Sequence, residues 1–366
     1  MKKHIKILFV VGCLILVYQA SIAAQEYDSI VVGTQNPAQD VARVQEAVAQ
    51  GGSVLLKGTF DFGKRGQVKI TQDVEIYGEK DTKNNPQTHI LGGFWTFYSP
   101  LPGKLPITSP GPNITIQGIH FEGAHWTPMS LPYCSGAKVL NNRIEGVRPF
   151  ECRVFGHEGM YRQQAIVFCP LYDLPEEKRT YQPGAITGEI LVADNDIDLS
   201  NDFPEKTMAQ GVVIIGATGA NIQILRNRVV NCTRNSLESL DNYPGKNKQG
   251  MTLIKDNVIL TAKKGIPLPT PRTPNGIVAG WFLDLAGAQD PQRNREILVT
   301  NNSIETRGET SLGIAALSDG TIISSNRIIQ KNGTGATGIT QITSDSVIVD
   351  NVFSGYSNFG ILMAPW

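Results

Sequence analysis

Seven asparagines from residue 142 onward, each followed two residues later by an apolar residue, are spaced at intervals of 24 to 53 residues in this chain of 366 residues. The last two intervals are 24 and 25 residues, and the longer ones leave room for a repeat with an insertion or for two repeats. A period in the twenties is typical of a solenoid, in which each repeat forms one coil. The seven residues are Asn142, Asn195, Asn227, Asn257, Asn302, Asn326 and Asn351.

The residues around these asparagines indicate strands. Alternating runs of β-branched residues precede several of them, as at 222–224 and 347–349, and Gly-Ile pairs recur between them. A coil of three short strands buries its apolar side chains only when coils stack at about 4.8 Å. Asparagines turned inward at one corner can then hydrogen-bond those above and below. We therefore predict an all-β solenoid with the seven asparagines stacked on one corner.

In these features the chain resembles the right-handed parallel β-helix, or pectin-lyase-like, superfamily. The segment at 37–50 adds to the resemblance, because its valines have the spacing of an amphipathic helix and Gly51-Gly52 follows it. In this superfamily such a helix caps the N-terminal end of the solenoid, where core and unpaired strand edges would otherwise be exposed. The resemblance implies a right-handed parallel β-helix with an N-terminal amphipathic capping helix, but it implies no single activity.

The first residues have the pattern of a secretory signal. Three lysines within the first six residues precede an apolar run, and small residues follow up to Ala24. We predict a signal peptide at 1–24 and a single β-helix domain at 25–366, in a protein that is secreted, periplasmic or at the cell surface. An uncleaved anchor and a lipoprotein modified at Cys13 are the alternatives. No later run is long and apolar enough to span a membrane.

Charge and cysteine content restrict the partners further. The 33 basic and 33 acidic residues give no net charge, which argues against nucleic acid as a partner. The cysteines after the signal can pair in three ways in an oxidising compartment, and they lack the CxxC spacing of a zinc site. Cys134 and Cys169 each end an apolar-aromatic stretch, and we expect them to lie close together, bridged or as thiols. The cysteines are Cys134, Cys152, Cys169 and Cys232.

In the superfamily, the strand after Gly-Ile forms the sheet whose outer face usually carries the active groove. If the residue after glycine points inward, the outer face here is mostly apolar, with Glu238 as its carboxylate. The acidic calcium site of pectate lyases and the three aspartates of polygalacturonases have no counterpart in this pattern. The predicted outward residues are Val167, Val213, Glu238, Val278, Ala315 and Thr340.

Loop lengths predict a cleft above the Glu238 coil. A short connection enters that coil, whereas long segments at 145–163 and 198–210 would form one wall and a Pro-rich segment at 263–275 the other. Loops on a rigid scaffold commonly carry function, and concave sites between them commonly hold ligands. We therefore expect the Glu238 coil at the bottom of the main cleft.

The candidate catalytic residues follow from this arrangement. Glu238 and Asp241 would act as acid and base on a glycosidic bond, or would hold Ca²⁺. Alternatively, Glu238 is simply solvated and Asp241 forms an Asx-turn. His157 and Arg162 would support the pair from the wall, where a loop held by salt bridges is the alternative. The expected substrate-binding residues are Arg153, Tyr161 and Arg272.

A second group, His120, Glu122, His125 and Trp126, lies one coil earlier, where Trp126 would either stack on a sugar ring or pack against the solenoid. Two classes of function are compatible with the sequence. The first is a secreted protein that acts on or binds an extracellular polysaccharide or another glycan, as a lyase or a glycoside hydrolase if it is an enzyme. The second is a non-catalytic surface, adhesive or structural solenoid.

Overall fold

A computed structural model confirms the predicted fold, because the chain forms a parallel β-helix with one α-helix at its N-terminal end. The predicted signal peptide at 1–24 lies outside the described residues and stays a prediction. The structure describes residues 26–151, 160–174, 181–202, 205–245, 250–264, 273–280, 296–308, 310–331, 336–341, 345–356 and 359–363.

The helix α1, Pro37–Gln50, has the bounds that the sequence predicted. Asn36 caps it by accepting a hydrogen bond from a backbone N–H of the first turn at 3.2 Å. Val44 and Val48 on its inner face pack into the main core. The buried carboxylate of Asp40 accepts hydrogen bonds from the backbone of the first coil, so that the helix is both packed and hydrogen-bonded onto the end of the solenoid.

Each coil gives one strand to each of three sheets, called A, B and C in chain order, and consecutive coils pair in parallel. The described strands of sheet A are Ser29–Val32, Gly52–Lys57, Val74–Gly78, Asn113–Gln117, Gly136–Leu140, Glu189–Ala193, Asn221–Leu225, Met251–Lys255, Glu296–Thr300, Thr321–Ser324 and Val347–Val349. Those of sheet B are Thr59–Asp61, Thr88–Leu91, Ile119–Glu122, Arg143–Glu145, Asp196–Asp198, Arg228–Val230, Val258–Leu260, Ser303–Thr306, Arg327–Gln330 and Val352–Ser354.

Sheet C contains the strands that were predicted to start at Gly-Ile pairs. A short strand, Phe150–Glu151, pairs antiparallel with its strand Tyr161–Phe168, and a 3-10 helix, Pro170–Asp173, follows that strand. The other described strands of sheet C are Val68–Lys69, Phe97–Tyr98, Met129–Ser130, Thr207–Ile215, Asn235–Leu240, Asn275–Gly280, Leu312–Leu317, Thr337–Gln341 and Phe359–Met363.

The predicted asparagine ladder is confirmed at the corner between sheets A and B. Each of the six side-chain amides from Asn142 to Asn326 donates to the side-chain oxygen of the next asparagine at 2.9–3.1 Å, and Asn351 accepts the last of these bonds. The same oxygens also accept the backbone N–H of the preceding asparagine at 2.9–3.1 Å. The ladder therefore satisfies buried polar groups along the whole corner.

The outer face of sheet C has the predicted register but not the predicted exposure. Glu238 pairs with Val213 on one side and Val278 on the other, and Leu237 beside it lies in the main core, so Glu238 points outward. However, Val213 and Val278 belong to a second, buried apolar cluster, against which Tyr172 and Tyr181 pack. This face is covered and does not form an open floor, because residues after the strands fold back over it.

The cysteines that the structure describes are reduced. Cys134 lies in the main core inside the solenoid, whereas Cys169 lies in the second cluster on the outer side of sheet C. The disulfide considered for this pair is therefore not formed. Burial raises the pKa of the Cys134, Cys169 and Cys232 thiols to about 12, so these side chains are packed as thiols. Cys152 lies outside the described residues.

Candidate functional site

Glu238 is the centre of a buried hydrogen-bond network on the outer face of sheet C. Its side chain is only 3 % exposed. One carboxylate oxygen accepts a hydrogen bond from the Gln210 amide at 2.5 Å and another from the Asn235 amide at 2.6 Å. Gln164 donates to Gln210 at 2.9 Å and accepts from the indole N–H of Trp126 at 2.9 Å. Amide side chains from successive coils thus connect Trp126 to Glu238.

Arg162 and Tyr172 flank this network. The Arg162 guanidinium donates to the Tyr172 hydroxyl at 2.5 Å and lies 5.2 Å from the centre of its ring. The Tyr172 hydroxyl also accepts from Gln164 at 3.1 Å. Burial raises the pKa of Tyr172 to about 12, although Arg162 acts in the opposite direction. The arrangement places a cation, a phenol and a carboxylate in one buried region.

The other predicted site residues are distributed around this region. Asp241 is fully buried in the turn after the strand, where its backbone has φ 50°. Tyr161 is half-buried and begins the strand that carries Arg162. His157, Arg153 and Arg272 lie outside the described residues, so their placement in a site stays a prediction.

The predicted open cleft above Glu238 is wrong in one respect. Its side chain is enclosed by neighbouring amides and by the second apolar cluster, so it has no exposed surface for a substrate in this structure. A pocket with a volume of about 660 Å³ lies on the outer face of sheet A near the N-terminal end of the solenoid. Loop length alone did not reveal that the residues after the strands cover the sheet.

Aromatic side chains converge at the corner of the solenoid where the chain passes from sheet B to sheet C. Phe94 and Trp95 stack on each other with ring centres 5.8 Å apart, and Trp126 and Phe150 stack at 5.6 Å with nearly parallel rings. Trp95 and Trp126 lie 5.2 Å apart and both have positive φ, 49° and 70°. Positive φ is unusual for a bulky residue and indicates a conformation that the surrounding packing imposes.

Basic side chains surround these rings. The guanidinium of Arg65 lies 5.4 Å from the Phe94 ring centre and 5.9 Å from that of Phe150. His125 is bridged through its backbone to Phe94 in the preceding coil and to Arg148 in the following one. The pKa of His125 is lowered by burial and then by the nearby cations, of which Arg148 has the largest effect. The aromatic–basic patch consists of Lys64, Arg65, Phe94, Trp95, His125, Trp126, Arg148 and Phe150.

Sequence reasoning found part of this patch. His125 and Trp126 were recognised, with stacking on a sugar as one role of the tryptophan. Arg65, Phe94 and Trp95 were missed, although the pair Phe94-Trp95 directly follows Gly92-Gly93 in the same way that His125-Trp126 follows Gly123-Ala124. This recurrence of two aromatic residues after a glycine turn is the signal that could have identified the patch.

Comparisons with known proteins identify no family. No family model matches the chain, and no curated protein matches it. Among solved structures it is similar to PfbA, a surface adhesin of Streptococcus pneumoniae, with 12% identity over 91% of this chain and 90% of that chain and a TM-score of 0.42. A similarity at this level identifies neither a family nor a function, so membership of the pectin-lyase-like superfamily stays a prediction.

None of the described helices is both long enough and apolar enough to cross a membrane.

Proposed function

We propose that this protein is a non-catalytic solenoid that binds an acidic extracellular glycan at the aromatic–basic patch. The observation that carries the proposal is the packing of the Arg65 guanidinium over Phe94 and Phe150, beside the half-buried ring of Trp95. Aromatic rings stack on the apolar faces of sugar rings, and guanidinium groups bind carboxylates through forked hydrogen bonds. The two chemistries together match a polysaccharide that contains uronic acids.

The surroundings of Glu238 support binding without catalysis. A general acid or base must come within about 3 Å of the atom with which it exchanges a proton. The Glu238 carboxylate is enclosed, and the amides of Gln210 and Asn235 donate to the same oxygen. Exposed Arg148 and Arg65, by contrast, are accessible to a ligand without any rearrangement.

The test compares binding of acidic and neutral polysaccharides by calorimetry, using polygalacturonate and alginate against dextran. We expect the acidic polymers to bind and the affinity to fall with added salt. Trp95→Ala and Arg148→Gln should each weaken binding by roughly tenfold, equivalent to about 1.4 kcal/mol. Tyr27→Ala and Lys138→Gln are matched controls on sheet A, where Tyr27 packs against Tyr77 and Lys138 is exposed, and neither should change binding. Equal binding of dextran, or no binding at all, would contradict the proposal.

Catalysis is the second candidate, and the shared region of Glu238, Arg162 and Tyr172 favours it. In this hypothesis a conformational change opens the outer face of sheet C, and Glu238 with Asp241 acts on the glycosidic bond. Unsaturated products would be followed by ultraviolet absorbance and new reducing ends by a colour assay. Product that appears with the wild type and is lost with Glu238→Gln would establish this role, whereas no product would support binding alone.

A further inference from the structure

Three metal-ligating side chains meet on the outer face of sheet B, outside the aromatic–basic patch. His120 and Glu122 project from one strand, and Glu145 projects from the strand of the next coil, where it pairs with Glu122. One ligand atom from each residue lies within 4.8 Å of the ligand atoms of the other two. Parallel pairing in register holds the three side chains on adjacent strands, so their convergence does not depend on a loop.

We propose that His120, Glu122 and Glu145 bind a divalent transition metal ion of the Zn²⁺ class. Zinc accepts imidazole nitrogen and carboxylate oxygen at about 2.0–2.2 Å, which requires ligand atoms about 3.5 Å apart in a tetrahedral site. Small side-chain rotations bring the three atoms to that separation. Two carboxylates balance the charge of the ion, and the exposed side of Glu122 leaves the fourth position to water.

The contacts within the cluster prepare its ligands. His120 Nε2 lies 2.8 Å from Glu145 Oε1. In the metal-bound form the ion takes the place of the proton between them, and the neutral ring takes the tautomer that carries its single proton on Nδ1. The other oxygen of Glu145 accepts two hydrogen bonds from Arg143, at 2.7 and 3.1 Å. Arg143 thereby fixes the orientation of Glu145 in the way that outer-shell partners orient metal ligands.

Packing holds the ring of His120 in place. Its side chain is 6 % exposed, and the ring of His89 from the preceding coil packs against it with centres 4.5 Å apart. A neutral imidazole is the form that binds a metal ion. Nitrogen ligation favours zinc-like ions over Ca²⁺ or Mg²⁺, which prefer all-oxygen sites.

The same sheet provides a matched control that lacks the histidine. Glu305 accepts a hydrogen bond from Arg307 two residues later at 2.8 Å, as Glu145 accepts from Arg143 two residues earlier. Loss of the Glu305 carboxylate should therefore disturb a comparable ion pair without affecting metal binding.

The experiment titrates the untagged full chain, freed of metal with a chelator, with ZnCl₂, CaCl₂ and MgCl₂ by calorimetry. We expect one zinc ion to bind at this site, with CaCl₂ and MgCl₂ at least tenfold weaker. His120→Gln, Glu145→Gln and Glu122→Gln should each weaken zinc binding by about tenfold or more, since loss of an outer-shell partner alone typically costs 10–100-fold. Glu305→Gln should leave it unchanged.

Folding of the variants is checked by thermal unfolding without metal. Glu122 is exposed, so Glu122→Gln should keep the wild-type midpoint even if His120→Gln does not. Zinc should raise the unfolding midpoint of the wild type and of Glu305→Gln but not of Glu122→Gln. Three outcomes would overturn the proposal. They are unchanged zinc binding in the three ligand variants, a loss of zinc binding in Glu305→Gln as large as in those variants, and no zinc binding by the wild type. None of these outcomes depends on glycan binding.

Discussion

At the scale of single residues, the corner between sheets A and B depends on each ladder asparagine and on the residue directly before it. The position before each ladder asparagine has positive φ, between 52° and 59°. The left-handed conformation turns the chain through the corner and directs the next side chain inward. Asparagine and aspartate tolerate this conformation better than other non-glycine residues. Five of the seven positions carry one of them; the seven are Asn141, Asp194, Arg226, Asp256, Asn301, Ser325 and Asp350.

The ladder predicts different costs for removing an inner and a terminal rung. Asn227→Ala removes four buried hydrogen bonds, because Asn227 accepts from the Asn195 backbone N–H and side-chain amide and donates to the Val192 carbonyl and the Asn257 oxygen. Each hydrogen bond contributes about 0.5–1.5 kcal/mol net, so we expect the free energy of unfolding to fall by roughly 2–4 kcal/mol. Asn351→Ala, at the partly exposed last rung, should cost less than half as much. Urea unfolding measures both, and equal losses would contradict a cooperative ladder.

At the scale of elements, the Gly-Ile pairs mark a column where sheet B packs against the start of sheet C. A methyl group on Gly313 would lie 2.4 Å from the Gly338 carbonyl oxygen of the next coil and 2.4 Å from the side chain of Ile328. Ile328 is the apolar residue that follows the ladder Asn326. The glycine and the apolar residue after the ladder therefore recur together, because one makes room for the other.

This packing predicts that replacing glycine by alanine is destabilising in one coil and tolerated in another. Gly313→Ala should lower the free energy of unfolding by about 1–3 kcal/mol, because overpacking forces the backbone and Ile328 to move. Gly360→Ala is the matched control in the last described coil, where the nearest atom is 3.9 Å from the new methyl group and makes ordinary contact. Denaturant unfolding of both variants tests the account, and a stable Gly313→Ala protein would refute it.

At the scale of the whole molecule, stability should decrease toward the last described coil. Among the described residues, an inner coil packs against two neighbouring coils and the last described coil against one, and Val352 there is 61 % exposed. The backbone amides of Arg228 and Val352 occupy equivalent positions and each donates at 2.8 Å to the asparagine of the preceding coil. Local hydrogen-bond length is thus the same at the two sites.

Hydrogen exchange measures this difference directly. After correction for intrinsic rates, we expect the Val352 amide to exchange on the order of 100-fold faster than the Arg228 amide, a difference of about 2.7 kcal/mol in opening free energy. Equal protection would mean that the solenoid opens as one unit or that something covers its last coil.

The solenoid, the ladder corner and the register of sheet C could be predicted from the sequence, because they recur from coil to coil and each repeat must bury the same inward positions against the next. The capping helix occurs once, and the spacing of its valines together with Gly51-Gly52 after it was enough to predict it. Glu238 could be assigned an outward direction for the same reason, since its neighbours at 213 and 278 occupy the same place in their coils.

The tertiary structure alone decided what surrounds the outward residues. Residues 170–174 fold back against the outer face of sheet C, where Leu171 and Tyr172 pack in the same cluster as Val213 and Val278, and no repeat encodes that contact. The meeting of Arg65 with Phe150 depends on how many residues each insertion adds before the chain returns to the same face. Inward packing is fixed coil by coil, but the outer surface is fixed by insertions of unequal length, which leave no period in the sequence.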